Sequence, residues 1–169
     1  MKRIPLTQGK ITFVDDCDYE YLMNLESLYA SFEGVWYACT RIKTKQVKIH
    51  RLIMERINPG FKGLIDHIDG NGLNNQRNNL RIATQSQNLA NRGPQENNTS
   101  GYKGVYWDKE RLKWVAIIEY QGTKSHLGRF DSEIEAAITY DIAAIRLFGE
   151  FARTNFPKEN YRDIKPYGS

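Results

Sequence analysis

Four polar side chains in one stretch of the chain are of types that activate water and hold a hard cation: Asp66, His67, Asn79 and Asn88. A neutral imidazole accepts a proton near neutral pH, and carboxylate and amide oxygens are the ligands a hard divalent ion takes. Asn79 and Asn88 stand 12 and 21 residues beyond His67. Singly they are ordinary, since an Asp beside a His is usually a surface pair and an Asn in an Asn-rich run is usually a loop residue or a cap. Together they form a set. Neighbours on a regular strand point to opposite faces, so Asp66 and His67 share a site only at a strand end. Asp69-Gly70-Asn71-Gly72 supplies a tight loop there that breaks the alternation.

The elements that must position these residues are legible in part. Ile49, Leu52, Ile53 and Ile57 recur at helical spacing, and Asn58-Pro59-Gly60 stops that helix. From residue 64 the pattern reads strand, loop, strand (Leu80–Ala83) and then a helix opened by Thr84 that carries Gln87, Asn88 and Leu89. Upstream, Lys10–Val14 and Val35–Ile42 are predicted strands, and Asp15, Asp16 and Asp18 are predicted helix-capping acids. Gly93 to Ser100 has no apolar side chain and reads as a linker. Beyond it Gly104–Trp107, Trp114–Tyr120 and Lys124–Phe130 are predicted strands. Ser132 with Glu135 opens a helix whose stripe Ala136, Ala137, Tyr140, Ala143, Ala144 and Leu147 is apolar, and Gly149 closes it.

The 169 residues, 40% of them hydrophobic, suit one ordinary domain or two small ones. No stretch approaches the ~18 apolar residues of a membrane span, and the basic start lacks the apolar run of a secretory signal, so a soluble cytoplasmic protein is expected. Cys17 and Cys39 form no CxxC pair, which excludes a Cys-rich zinc site; both are expected to be buried and unreactive. The net charge of +4 is unevenly spread. Residues 47–92 carry seven basic against three acidic side chains and residues 101–130 six against three, whereas residues 131–157 carry two against five. One face for phosphates and another turned away from them is the expected arrangement.

The segment His50–Asn91 resembles the HNH endonuclease family in its phage and intron homing branch. The resemblance is carried by His50-Arg51-Leu52-Ile53, Asp66-His67-Ile68-Asp69-Gly70-Asn71, Asn79-Leu80-Arg81 and Gln87-Asn88, with Ile4 to Lys10 upstream. It implies a ββα-metal nuclease fold that hydrolyses a phosphodiester with one divalent metal, Mg²⁺ or Mn²⁺. It makes His67 the general base, Asp66 and Asn88 metal ligands, and Asn79 the residue that orients the His67 ring. His50 is expected to pack beneath the site, with DNA contact as the alternative.

Residues 102–157 resemble the APETALA/ethylene-response-factor DNA-binding domain. The carriers are Tyr102-Lys103-Gly104-Val105, Lys113-Trp114-Val115-Ala116, Leu127-Gly128-Arg129-Phe130, Tyr140-Asp141-Ile142-Ala143-Ala144 and Thr154-Asn155-Phe156-Pro157. The resemblance implies a three-stranded antiparallel sheet packed on one helix and laid in the major groove. Lys103, Tyr106, Lys124 and His126 match positions that contact DNA in that family. Arg111, Lys113 and Arg129 are further basic candidates. Trp107 is either core or contact, and Trp114 is expected in the core. Tyr106, Asp108, His126, Ile117 and Glu119 depart from the plant pattern, so the role carries over better than the target sequence. The expected whole is an α+β chain: a nuclease domain over 1–92, a linker over 93–100, a DNA-reading domain over 101–157 and a tail over 158–169. It is expected to act as a monomer on double-stranded DNA, nicking one strand in a bacterial host's cytoplasm if phage-borne. The alternative is a DNA-binding regulator with an inert nuclease half.

Overall fold

The computed structural model describes residues 1–95 and 97–168. The chain is a mixed α/β protein of small antiparallel sheets and helices, divided into two compact units, Met1–Thr84 and Gln85–Ser169.

The first unit opens with an antiparallel pair, β1 (Lys2–Pro5) and β2 (Ile11–Val14), followed by helix α1 (Asp16–Met23). A three-stranded meander comes next: β3 (Tyr29–Phe32), β4 (Trp36–Ile42) and β5 (Lys45–Lys48). Helix α2 (Ile49–Ile57) has the predicted bounds, and its inward residues Ile49, Ile53 and Met54 join Ile4, Val14, Leu22, Ala38, Ile65 and Leu80 in one core. The hairpin β6 (Leu64–His67) and β7 (Leu80–Ala83) pairs in register from Leu64 with Ala83 to His67 with Leu80. Alternation puts Ile65 and His67 on one face and Asp66 on the other, so the loop after His67 has to bring the site together.

Two expectations change here. Asp15 stands at the N-cap position of α1 with Asp16 and Asp18 in its first turn, but its side chain makes no cap bond. Asp15 Oδ2 instead accepts from the Arg77 backbone N–H at 2.6 Å. Asp18 is fully buried and bound by Arg77 through Nε at 2.7 Å and Nη2 at 2.8 Å, and by Arg56 Nε at 3.0 Å. Of the two thiols Cys39 is buried, but Cys17 is exposed because it lies on the solvent side of α1.

The second unit begins with helix α3 (Gln85–Asn91), ahead of the stretch 93–100 where the sequence places the boundary. The reason is polar. Lys103 Nζ donates to the Leu89 and Ala90 carbonyls at the end of α3, and the Arg153 N–H donates to the Ala90 carbonyl at 3.3 Å. Strands β8 (Val105–Asp108), β9 (Lys113–Tyr120) and β10 (Thr123–Phe130) form an antiparallel sheet with β9 central, as expected. Helix α4 (Glu133–Phe148) packs on it, with Ser132 Oγ accepting from the Ile134 N–H at 3.2 Å and Gly149 adopting a φ of +55° at its end. The register slips between His126 and Gly128, and Leu127 at the slip packs into the core. Asp141, on α4, is fully buried and accepts from the Asn155 and Phe156 backbones and from Tyr161 Oη. Tyr161 thereby joins this unit's core, while Lys158, Glu159 and Asn160 beside it are exposed.

Candidate functional site

The His67 ring is set by a buried chain of one amide and one hydroxyl. Its Nε2 lies 3.3 Å from Asn75 Oδ1, and Asn75 is fully buried. The Asn75 Nδ2 donates to Thr12 Oγ1 at 2.8 Å and to the Gly72 carbonyl at 3.4 Å, while Thr12 Oγ1 donates to the Leu73 carbonyl at 2.7 Å. Because the Gly72 carbonyl can only accept, the Asn75 NH₂ points there and its oxygen points at His67. That assignment makes Nε2 the protonated nitrogen and leaves the lone pair on Nδ1. Burial pushes the His67 pKa below the usual imidazole range, outweighing the nearby Asp69 and Asp66 charges, so the ring is neutral at physiological pH.

His50 packs its ring edge-on to His67, with centres 4.9 Å apart, and Tyr37 borders both. Burial, with the Lys48 and Arg51 charges adding to it, lowers the His50 pKa to about 3. Its Nδ1 is buried without a hydrogen-bond partner among the described residues. His50 is thus a neutral packing group, as expected.

Asp66 is buried, and Arg81 turns both Nε, at 2.9 Å, and Nη2, at 2.8 Å, onto its Oδ2. Among the described residues no three His, Cys, Asp or Glu side chains converge as a metal cage. One carboxylate supplemented by amide oxygens, water and substrate oxygens does fit Mg²⁺, which keeps several waters.

Asn79 acts on the loop. Its Oδ1 accepts from the Asp69 N–H at 3.1 Å, and its Nδ2 donates to Asp69 Oδ1 at 2.9 Å and to the Asn74 carbonyl at 2.8 Å. Those bonds occupy both ends of the amide, and the ring-orienting bond expected of Asn79 is made by Asn75. Asp69 in turn takes the Asn71 N–H at 2.8 Å and Asn74 Nδ2 at 2.8 Å. Gly72 is required by close packing, since a Cβ there would stand 2.5 Å from the Trp36 carbonyl oxygen and 2.6 Å from the Tyr37 ring. The loop is mounted on β2 by the Phe13 N–H to the Leu73 carbonyl, 2.9 Å, and the Asn75 N–H to the Phe13 carbonyl, 2.8 Å.

Asn88 lies half-buried on α3 in the second unit. In that unit the register divides the other candidates. Val105, Trp107, Trp114, Ala116, Ile118 and Phe130 share the face toward α4, and Trp107 meets Trp114 edge-on at 5.1 Å. The opposite face carries Tyr106, Asp108, Lys113, Ile117, Glu119, Lys124, His126 and Arg129. Tyr106, Lys124, His126 and Arg129 are exposed there. Lys113 pairs with Asp131, and Asp108 takes Arg111 Nη1 at 3.2 Å and Arg129 Nε at 3.7 Å. Lys103 stands apart, its ammonium spent on α3 and its pKa lowered to about 8 by burial with the Arg153 charge.

Residues 47–90 match the family described as HNH endonuclease. The chain is 40% identical over 89 residues to protein 3.8 of Escherichia phage T7, covering 53% of this chain and 73% of the phage protein. It is 35% identical over 113 residues to an uncharacterised HNH endonuclease of Acanthamoeba polyphaga mimivirus, covering 65% of this chain and 58% of that protein. It is also 40% identical over 63 residues to an ethylene-responsive transcription factor of Arabidopsis thaliana, which spans 37% of this chain and 14% of the plant protein. No solved structure shows a significant match. No helix among the described residues is long and apolar enough to cross a membrane.

Proposed function

Because the chain belongs to the HNH endonuclease family, we propose that it cuts one strand of double-stranded DNA with His67 as general base and one divalent metal, and that its C-terminal sheet reads the site. The observation that carries this reading is the buried His67 ring, neutral and fixed in one tautomer by Asn75. A neutral imidazole with its lone pair on Nδ1 takes the proton of an attacking water. Asp66 and Asn88 would hold the metal, and Asn79 keeps the adjoining loop in shape. When bound, Mg²⁺ or Mn²⁺ supplies a positive charge that neutralises the phosphate and supports the leaving 3′ oxygen. Tyr106, Lys124, His126 and Arg129, on the sheet face turned away from α4, are the groups offered to the duplex. One His site cuts one strand at a time, so a monomer nicks. It would act on DNA in the cytoplasm of a bacterial host.

A second reading, a DNA-binding regulator with an inert nuclease half, draws on the Arg81 guanidinium that engages the proposed metal carboxylate. A supercoiled-plasmid assay separates the two. Wild type with Mg²⁺ yields nicked circle, and both EDTA and His67→Ala abolish it. Binding without cleavage in Mg²⁺ and Mn²⁺, on a plasmid bearing a selected binding site, favours the regulator.

A further inference from the structure

The hairpin of β4 and β5 carries Arg41, Lys43, Lys45 and Lys48 with no acidic residue between positions 41 and 48. Its register sets Cys39 opposite Lys48 and Arg41 opposite Gln46, so Tyr37, Arg41, Gln46 and Lys48 share one face. That face leads to the site already described. Lys48 Nζ lies 3.9 Å from the centre of the Tyr37 ring, and the Tyr37 and His67 ring centres are 6.1 Å apart. Arg41 is exposed and makes no hydrogen bond or ion pair among the described residues. Lys48 pairs with Glu33 at 2.8 Å, with their side chains 30% and 44% exposed.

We propose that this face seats the phosphates of the DNA strand beside the bond that His67 attacks, with Lys48 and Arg41 as the contacts and Glu33 as the group DNA displaces. The proposal rests on the reading of His67 as the catalytic base. Charge complementarity and continuity with the His67 site select a phosphodiester backbone as the occupant. The Tyr37 ring holds the ammonium by cation–π attraction, and the Glu33 carboxylate takes it at 2.8 Å. An ion pair this exposed contributes little to the fold, so a phosphate competes with Glu33 on favourable terms.

The pair makes opposite predictions for its two members. In the full chain, binding to a duplex is followed by fluorescence anisotropy in EDTA, where no cleavage occurs, across a series of salt concentrations. Removing one cation that neutralises a phosphate should flatten the plot of log affinity against log salt by about 0.9. Lys48→Gln and Arg41→Gln should each show that flattening, with affinity at low salt down several-fold. Glu33→Gln should bind at least twofold more tightly than wild type. Lys48→Arg should keep the wild-type slope, and it replaces Lys48→Gln as the informative variant if the latter does not fold. An unchanged slope in Lys48→Gln, or a Glu33→Gln that binds no better than wild type, makes the pair purely structural and overturns the proposal. Persistent nicking by His67→Ala in Mg²⁺ would instead remove the catalytic reading of His67, while the slopes alone judge the phosphate contacts.

Discussion

Replacing Asn75 with alanine removes the His67 partner and leaves the rest of the site composition intact. Asn75 Oδ1 is the acceptor for His67 Nε2, and its Nδ2 is the donor to Thr12 and Gly72. All three bonds are buried, so the variant strands an imidazole N–H and a Thr12 lone pair without solvent to replace them. Each stranded group costs about 1–3 kcal/mol, so the two together cost roughly 2–6 kcal/mol of folding stability. That is a large fraction of the ~5–15 kcal/mol of a typical domain, which makes a thermal melt the necessary first measurement. In protein that remains folded, the ring can turn and exchange tautomers, and the lone pair no longer faces one direction. Removing a partner that orients a functional imidazole typically costs about 10–100-fold, and that loss should appear in kcat for nicking with KM nearly unchanged. Thr12→Val acts one step further out, loosening Asn75 itself, and should give a smaller loss of the same kind. A folded Asn75→Ala that nicks at the wild-type rate would refute the tautomer argument and return the orienting role to another group.

Three further outcomes rest on the same geometry. Asp18 is buried, and although burial alone would raise its pKa, Arg77 and Arg56 prevail and hold it below the usual carboxylate range. Its contribution is therefore present above the unfolded-state value near 3.9 and lost as pH falls through the lower folded value. Asp18→Asn should cost about 2–3 kcal/mol at neutral pH, below the ~3–5 kcal/mol of a fully buried pair because its arginine partners reach solvent. Urea melts between pH 2 and 7 should show the wild-type loss at the acid end flattened in the variant. Gly72→Ala puts a Cβ 2.5 Å from the Trp36 carbonyl oxygen. It should destabilise by about 1–3 kcal/mol, and a melting temperature within a degree of wild type would show that the loop relaxes freely. Lys103→Gln should leave the salt dependence of duplex binding unchanged because the ammonium already serves α3, whereas Lys124→Gln and Arg129→Gln should each flatten it by about 0.9. A flattening in Lys103→Gln would show that the ammonium leaves α3 for DNA.

What could be read in advance depended on local rules. Helix α2 ends where Asn58-Pro59-Gly60 requires it, α4 starts at Ser132 and stops at Gly149, and the C-terminal strands alternate with turns between them. Strands β1, β3 and β5 each bury at most one side chain, so no inward-facing row of apolar residues marks them. Asn75 was hidden for another reason. Asn74, Asn75, Asn78 and Asn79 are chemically identical, and only the position of Thr12, 63 residues away, tells which one turns toward His67. Asp18 falls in an acidic run that opens a helix, where acids are common for local reasons, and its partner Arg77 lies 59 residues downstream. Lys103 looked like a phosphate ligand by motif position, but the free carbonyls ending α3 compete for the same ammonium.

These long-range bonds share a direction. Thr12, Phe13, Asp15 and Asp18 all reach from β2 and α1 into residues 73–77, the inner side of the loop that follows His67. The family match covers residues 47–90 and so includes His67, Asn75 and Asn79 but none of the groups that hold Asn75 and Arg77 from outside. A motif can specify which side chains perform the chemistry, because those are fixed by the reaction. The scaffold that fixes their tautomer and register can be drawn from any nearby strand that supplies a hydroxyl, a carbonyl and a carboxylate. In this chain the first eighteen residues supply them, which makes the N-terminal extension part of the site's support.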